Sequence, residues 1–116
     1  MSVVTPKTLR QQLLQAAVLD KIIREGISVD TEPVRRNLET TRRQVGRSPL
    51  MDRYLDRWEK TLRDNDIDGI RVIVESDDDT SREMRNLSPL SVLLSDDERH
   101  RVIVEFGTKL EATSQG

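Results

Sequence analysis

The sequence contains no cysteine and a single histidine, His100. Disulfides and thiolate metal sites are thereby excluded, and a reducing cytoplasm is the expected home. Only three residues are aromatic, Tyr54, Trp58 and Phe106, so the core must be aliphatic and thin. No apolar run approaches the roughly 20 residues that cross a bilayer, and no signal-peptide core follows Met1. No membrane association is therefore expected. The five glycines are scattered, with no phosphate-cradling loop among them. No serine stands in a nucleophile-elbow context. His100 sits on a charged stretch between Arg99 and Arg101, where a histidine reads as solvated surface. These absences predict a protein with no enzymatic machinery, no cofactor and no metal.

What is present is charge. Charged residues make up 34% of the chain, the same share as hydrophobic ones. A chain of 116 residues is one domain, or a helical unit that completes its core on a partner. The net charge is −2, but it is unevenly spread. Residues 1–63 hold thirteen Lys+Arg against eight Asp+Glu, a net of +5. Residues 64–116 hold six against thirteen, a net of −7. A duplex-DNA binder needs one broad basic face, so nucleic acid is a poor fit. Two patches of opposite sign suit docking to another protein, or are simply two solvated faces. Fifteen arginines against four lysines point to a GC-rich bacterial genome.

The stretch 48–64, SPLMDRYLDRWEKTLRD, organises the rest. Ser48 is placed to cap a helix and Pro49 suits its first position. Leu50, Met51, Tyr54, Leu55, Trp58 and Leu62 recur at steps of three and four, the signature of one apolar helical face. Upstream, Thr5-Pro6 opens a helix that Gly26 stops. It carries one stripe of Leu9, Leu13, Ala16 and Ile23, and a second of Leu14, Val18 and Ile22. Apolar on two sides, it reads as a central strut or as an interface between copies of the chain. Asp30 or Thr31 caps a second helix near Glu32-Pro33, with a narrow stripe of Val34, Leu38, Thr41 and Val45. Arg35, Arg36, Arg42, Arg43 and Arg47 surround that stripe, and Gly46 ends it.

After Asp64 the chain turns acidic. Asp77, Asp78 and Asp79 do not fall at calcium-loop offsets, and capping explains them better. Helices are predicted at 67–76 and 81–87, with a short turn around Leu90, Leu93 and Leu94 after Ser88-Pro89. A capping box, Ser95 to Glu98, opens the last helix. The pentapeptide Arg-Val-Ile-Val-Glu occurs at 71–75 and again at 101–105. The expected fold is an all-α bundle of about five to six helices in one domain, with flexible tails at 1–5 and 111–116. The alternative is α+β, with a two-stranded sheet at 70–75 and 101–106. The expected core includes Tyr54, Leu55, Trp58, Leu62, Leu90 and Leu94.

Tyr54-Leu55-x-x-Trp58, Met84-Arg85-Asn86-Leu87-Ser88-Pro89-Leu90 and Leu94-Ser95-x-x-Glu98-Arg99 resemble segments of small bacterial antitoxins encoded beside nucleotidyltransferase-type toxins. The resemblance covers residues 54–106, under half of the chain. It implies a helical protein that binds a toxin acting on RNA, covers its active site and does no chemistry itself. The partner-binding candidates are then Arg35, Arg36, Arg42, Arg43 and Arg47 on one side and Asp77, Asp78 and Asp79 on the other. Two other classes remain open. A small DNA-binding regulator would bind its own promoter in a salt-sensitive way. An adaptor or host-modulating protein would co-purify with a different protein.

Overall fold

Among the described residues six α-helices and one 3-10 turn follow one another: α1 (Pro6–Glu25), α2 (Glu32–Gln44), α3 (Pro49–Arg63), α4 (Ile67–Glu75), α5 (Asp79–Asn86), the turn (Leu90–Leu93) and α6 (Asp96–Gln115). The computed structural model describes residues 6–45 and 48–115. There is no strand among the described residues, so the chain is an all-α bundle. The expected flexible tail at 1–5, the expected stop at Gly46 and Arg47 lie outside the described residues.

The starts of α3, α4, α5 and α6 each follow from a short polar side chain that accepts a free N–H of the first turn. Ser48 accepts from Met51 N at 3.4 Å, Asp66 from Gly69 N at 2.9 Å and Asp78 from Ser81 N at 2.7 Å. Ser95 and Glu98 form the reciprocal box: Glu98 N donates to Ser95 Oγ at 3.2 Å and Ser95 N to Glu98 Oε1 at 2.7 Å. Thr31 caps α2 by position only, with no side-chain bond. These caps overturn the two-stranded alternative. The run at 71–75 lies in α4 behind the Asp66 cap, and that at 101–105 lies in α6 behind the Ser95 box. A satisfied first turn outweighs the modest strand preference of Val and Ile. α6 also continues to Gln115, past the residue 111 at which a tail is expected, since no breaker stands between Gly107 and Gly116.

The helix ends are built differently. Gly26 closes α1 with φ of +63°. Asn65, at φ +48°, closes α3. Asp66 N reaches Thr61 O and Asn65 N reaches Leu62 O, both at 3.0 Å, the double bond of a left-handed terminus. The freed Asn65 side chain then accepts Val29 N at 2.9 Å and pins the α1–α2 connector. α4 and α5 have no such residue. Their last carbonyls are taken by side chains of other helices, Arg85 and Trp58.

α1 touches α4, α5, the 3-10 turn and α6, and so is the central strut. Its buried residues are Gln15, Val18, Leu19 and Ile22, which extend the second of the two expected stripes. The first stripe is not buried: Ala16 and Ile23 are exposed, and Leu9 and Leu13 are half-buried. Four elements crowd one side and flank of α1, and none is left to cover the other. Leu55, Trp58 and Leu62 bring α3 into the same core, with Ile70, Ile73 and Val74 from α4, Met84 from α5, and Leu90 and Leu94 beyond it. Tyr54, grouped with the core by spacing, is half-buried at its edge.

Candidate interaction surface

α2 is held by two buried residues, Val34 and Leu38, four apart on one face. At 100° per residue this turns Arg36, Thr40 and Arg43 to the opposite side. Arg36 and Arg43 are exposed there. Arg36 pairs with Glu32 one turn back, and Arg43 reaches Thr40 Oγ1 at 3.5 Å. Arg35 and Arg42 do not share that ridge. Arg35 turns back to Asp30 at 2.6 Å. Arg42 lies across to α3, 3.1 Å from Asp56 and 3.8 Å from Glu59, and ties the two helices. Both line a groove of about 350 Å³ between α2 and α3, with Leu38, Leu62, Glu39 and Arg63. Of the five arginines singled out from the sequence, two therefore face outward, Arg42 ties α2 to α3, Arg35 pairs with Asp30 in the connector before α2, and Arg47 lies outside the described residues.

The acidic trio is organised by Arg82. Its guanidinium pairs with Asp77 at 2.9 Å and with Asp79 at 2.5 Å, while Asp78 caps α5. The Ser81 N–H, helped by the Ser81 hydroxyl, holds the Asp78 carboxyl below its usual value. The hydrogen bond to Asp79 pushes the Arg82 guanidinium up. α2 touches neither α4 nor α5, so the arginine ridge and the acidic junction are separate patches. Exposed ion pairs of this kind are screened by water and contribute little net stability, so a partner of complementary charge exchanges them at little cost. No group of three or more His, Asp or Glu placed to hold a metal occurs among the described residues, and none of their helices is long and apolar enough to cross a membrane.

Three polar residues that hold these elements together did not figure in that role among the sequence expectations. Lys21 donates to Leu93 O and to Glu98 Oε1, both at 2.7 Å, and locks α6 and the 3-10 turn to α1. The Lys21 bond, with the Ser95 N–H, lowers the Glu98 carboxyl from 4.5 to about 2. A carboxyl depressed in the folded state contributes stability that is present above its unfolded value and lost as pH falls through the folded one. The α1–α6 latch is thus expected to weaken between about pH 4.5 and pH 2. Acid titration followed by circular dichroism checks this. Glu98→Gln should lower Tm at pH 7 and flatten the acid-induced loss in that window; an unchanged acid transition would refute the assignment. Asn65 and Arg85 are the other two. Asn65 had a visible signature, an Asn just past the last apolar residue of a helix. Arg85 showed only as an Arg one step from Met84 on the stripe Ser81–Met84–Arg85.

The segments on which an antitoxin resemblance was expected consist mainly of core and cap residues. Met84, Leu87 and Leu90 are buried, Arg85 and Trp58 satisfy helix ends, and Ser95 and Glu98 form the box. No protein-family model, no curated protein and no solved structure matches the chain.

Proposed function

We propose that this chain is a non-enzymatic binding protein of antitoxin type, which neutralises a nucleotidyltransferase-type toxin acting on RNA by covering its active site. The observation that supports it best is the placement of opposite charges on separate rigid surfaces. The outward ridge of α2 presents Arg36 and Arg43, and the α4–α5 junction presents Asp77 and Asp79 with exposed carboxylates. A toxin that handles RNA and a divalent metal combines a basic acceptor surface with an acidic metal site. The acidic junction would meet the first and the arginine ridge the second, so inhibition needs geometry and charge rather than chemistry.

Co-expression with the protein encoded next to this gene, followed by size-exclusion chromatography, is expected to give a stoichiometric complex. Arg36→Glu, Arg43→Glu and Asp77→Lys together are expected to weaken it by roughly 10–100-fold, the range for losing several charge pairs at an interface. Asp78 is left intact because its carboxylate caps α5. Absence of co-elution, or neutralisation that ignores the triple charge reversal, would overturn the reading. Salt-sensitive binding to promoter DNA that Arg36→Ala and Arg43→Ala abolish would replace it with a DNA-binding regulator.

A further inference from the structure

The repeated pentapeptide buries opposite faces in its two settings. In α4, Ile73 and Val74 are 1% and 4% exposed and Val72 is 53% exposed. In α6, Val102 is 5% exposed, whereas Ile103 and Val104, the counterparts of Ile73 and Val74, are 49% and 57% exposed. α6 therefore turns towards solvent the very pair that its twin uses to pack against α1 and α5. The surroundings of this pair are acidic. Asp96, His100, Ile103 and Gly107 succeed one another at steps of three and four, and so do Asp97, His100, Val104 and Thr108, with Glu111 one step further. Nothing lies within 4 Å of where a Cβ on Gly107 would stand, so the face is open there. Arg101 is turned away, into the groove between α1 and α6 with Asp20 and Glu105.

We propose that this outward face of α6 is a docking surface for a cationic amphipathic helix of another protein. The partner's apolar stripe would cover Ile103 and Val104, and its Lys or Arg residues would meet Asp96, Asp97 and Glu111. Charge selects the occupant. Nucleic acid and anionic lipid are repelled by the same carboxylates. A second copy of α6 is also repelled: a parallel pair sets Asp96 and Asp97 against themselves, and an antiparallel pair centred between Ile103 and Val104 sets Asp96 level with Glu111. α6 does not touch α2, so this surface is independent of whatever the arginine ridge binds.

The test titrates the full chain into a fluorescein-labelled helix of about 18 residues, leucine and lysine in three-and-four spacing, read by anisotropy. The same helix with glutamate for lysine is the control. The lysine helix is expected to bind, and the glutamate helix not. Ile103→Gln with Val104→Gln, which keeps good helix formers at exposed sites, is expected to weaken binding by roughly tenfold or more. Arg36→Glu with Arg43→Glu is expected to leave it unchanged, which separates this surface from the α2 ridge. Equal binding by the double glutamine variant or by the glutamate helix would overturn the proposal. So would a dimer in sedimentation equilibrium that the double glutamine variant dissociates.

Discussion

Trp58→Ala is expected to lower the free energy of unfolding by roughly 3–5 kcal/mol, the range for deleting a fully buried large aromatic. Trp58 is fully buried, and its ring fills the space where α3 meets α5. It is also a cap. The indole Nε1 donates to Met84 O at 2.8 Å. That carbonyl belongs to the last turn of α5, where no N–H further along the helix is available to it. Trp58→Phe separates the two roles. It keeps most of the apolar area but leaves Met84 O buried without this donor, and should cost roughly 1–3 kcal/mol. Urea melts followed by circular dichroism measure both. A loss below about 1 kcal/mol for the alanine variant would mean that the core is centred elsewhere. Equal stability of the phenylalanine variant and the native chain would show that the indole bond contributes nothing.

The beginnings of helices were legible because they are written locally. Ser48, Asp66 and Ser95 each act on a backbone N–H three residues ahead, so the signature and its effect lie in the same short stretch; Asp78 does the same for α5, but among three adjacent aspartates it did not stand out, and that helix starts at Asp79 rather than at the expected 81. Among the described residues the ends were legible only at Gly26, whose positive φ stops α1; Asn65 ends α3 in the same way but did not figure among the sequence expectations. The ends of α4 and α5 rest on side chains 9 to 26 residues away along the chain, and no local pattern shows such a pairing. The same limit applied to the surfaces. Arg35, Arg36, Arg42 and Arg43 are equivalent in sequence, yet Val34 and Leu38 set the rotation of α2 and so decide which arginines face α3 and which face solvent. The two copies of Arg-Val-Ile-Val-Glu make the point again: identical residues bury Ile73 and Val74 in one helix and only Val102 in the other. Local chemistry fixes that the run is helical; the neighbours fix which face is covered.

Replacing Arg85 is expected to be nearly as damaging as replacing Trp58. Arg85 is 3% exposed, and its Nη1 donates to Ile73 O and Ser76 O at 2.8 Å and to Val74 O at 3.3 Å. Burial pushes the guanidinium below its usual value, with Arg82 adding to that shift, but an arginine keeps its charge across the whole working range. A buried cation is costly unless it is well bonded. Here the negative end of α4 supplies the bonding, since three carbonyls of its last turn and exit converge on one amine group. Arg85→Met keeps the length and removes the charge. It strands those carbonyls among buried neighbours, and should cost roughly 2–4 kcal/mol. Arg85→Lys restores a charge but not the planar fork, so it should recover only part of the loss. The loss should be concentrated at the α4–α5 junction. Amide exchange of α4 and α5 should quicken in the methionine variant while α2 and the far end of α6, which touch neither helix, change least. Uniform quickening across the chain would mean that Arg85 supports the bundle as a whole, and a stability equal to the native chain would show that water satisfies the α4 terminus as well as the guanidinium does.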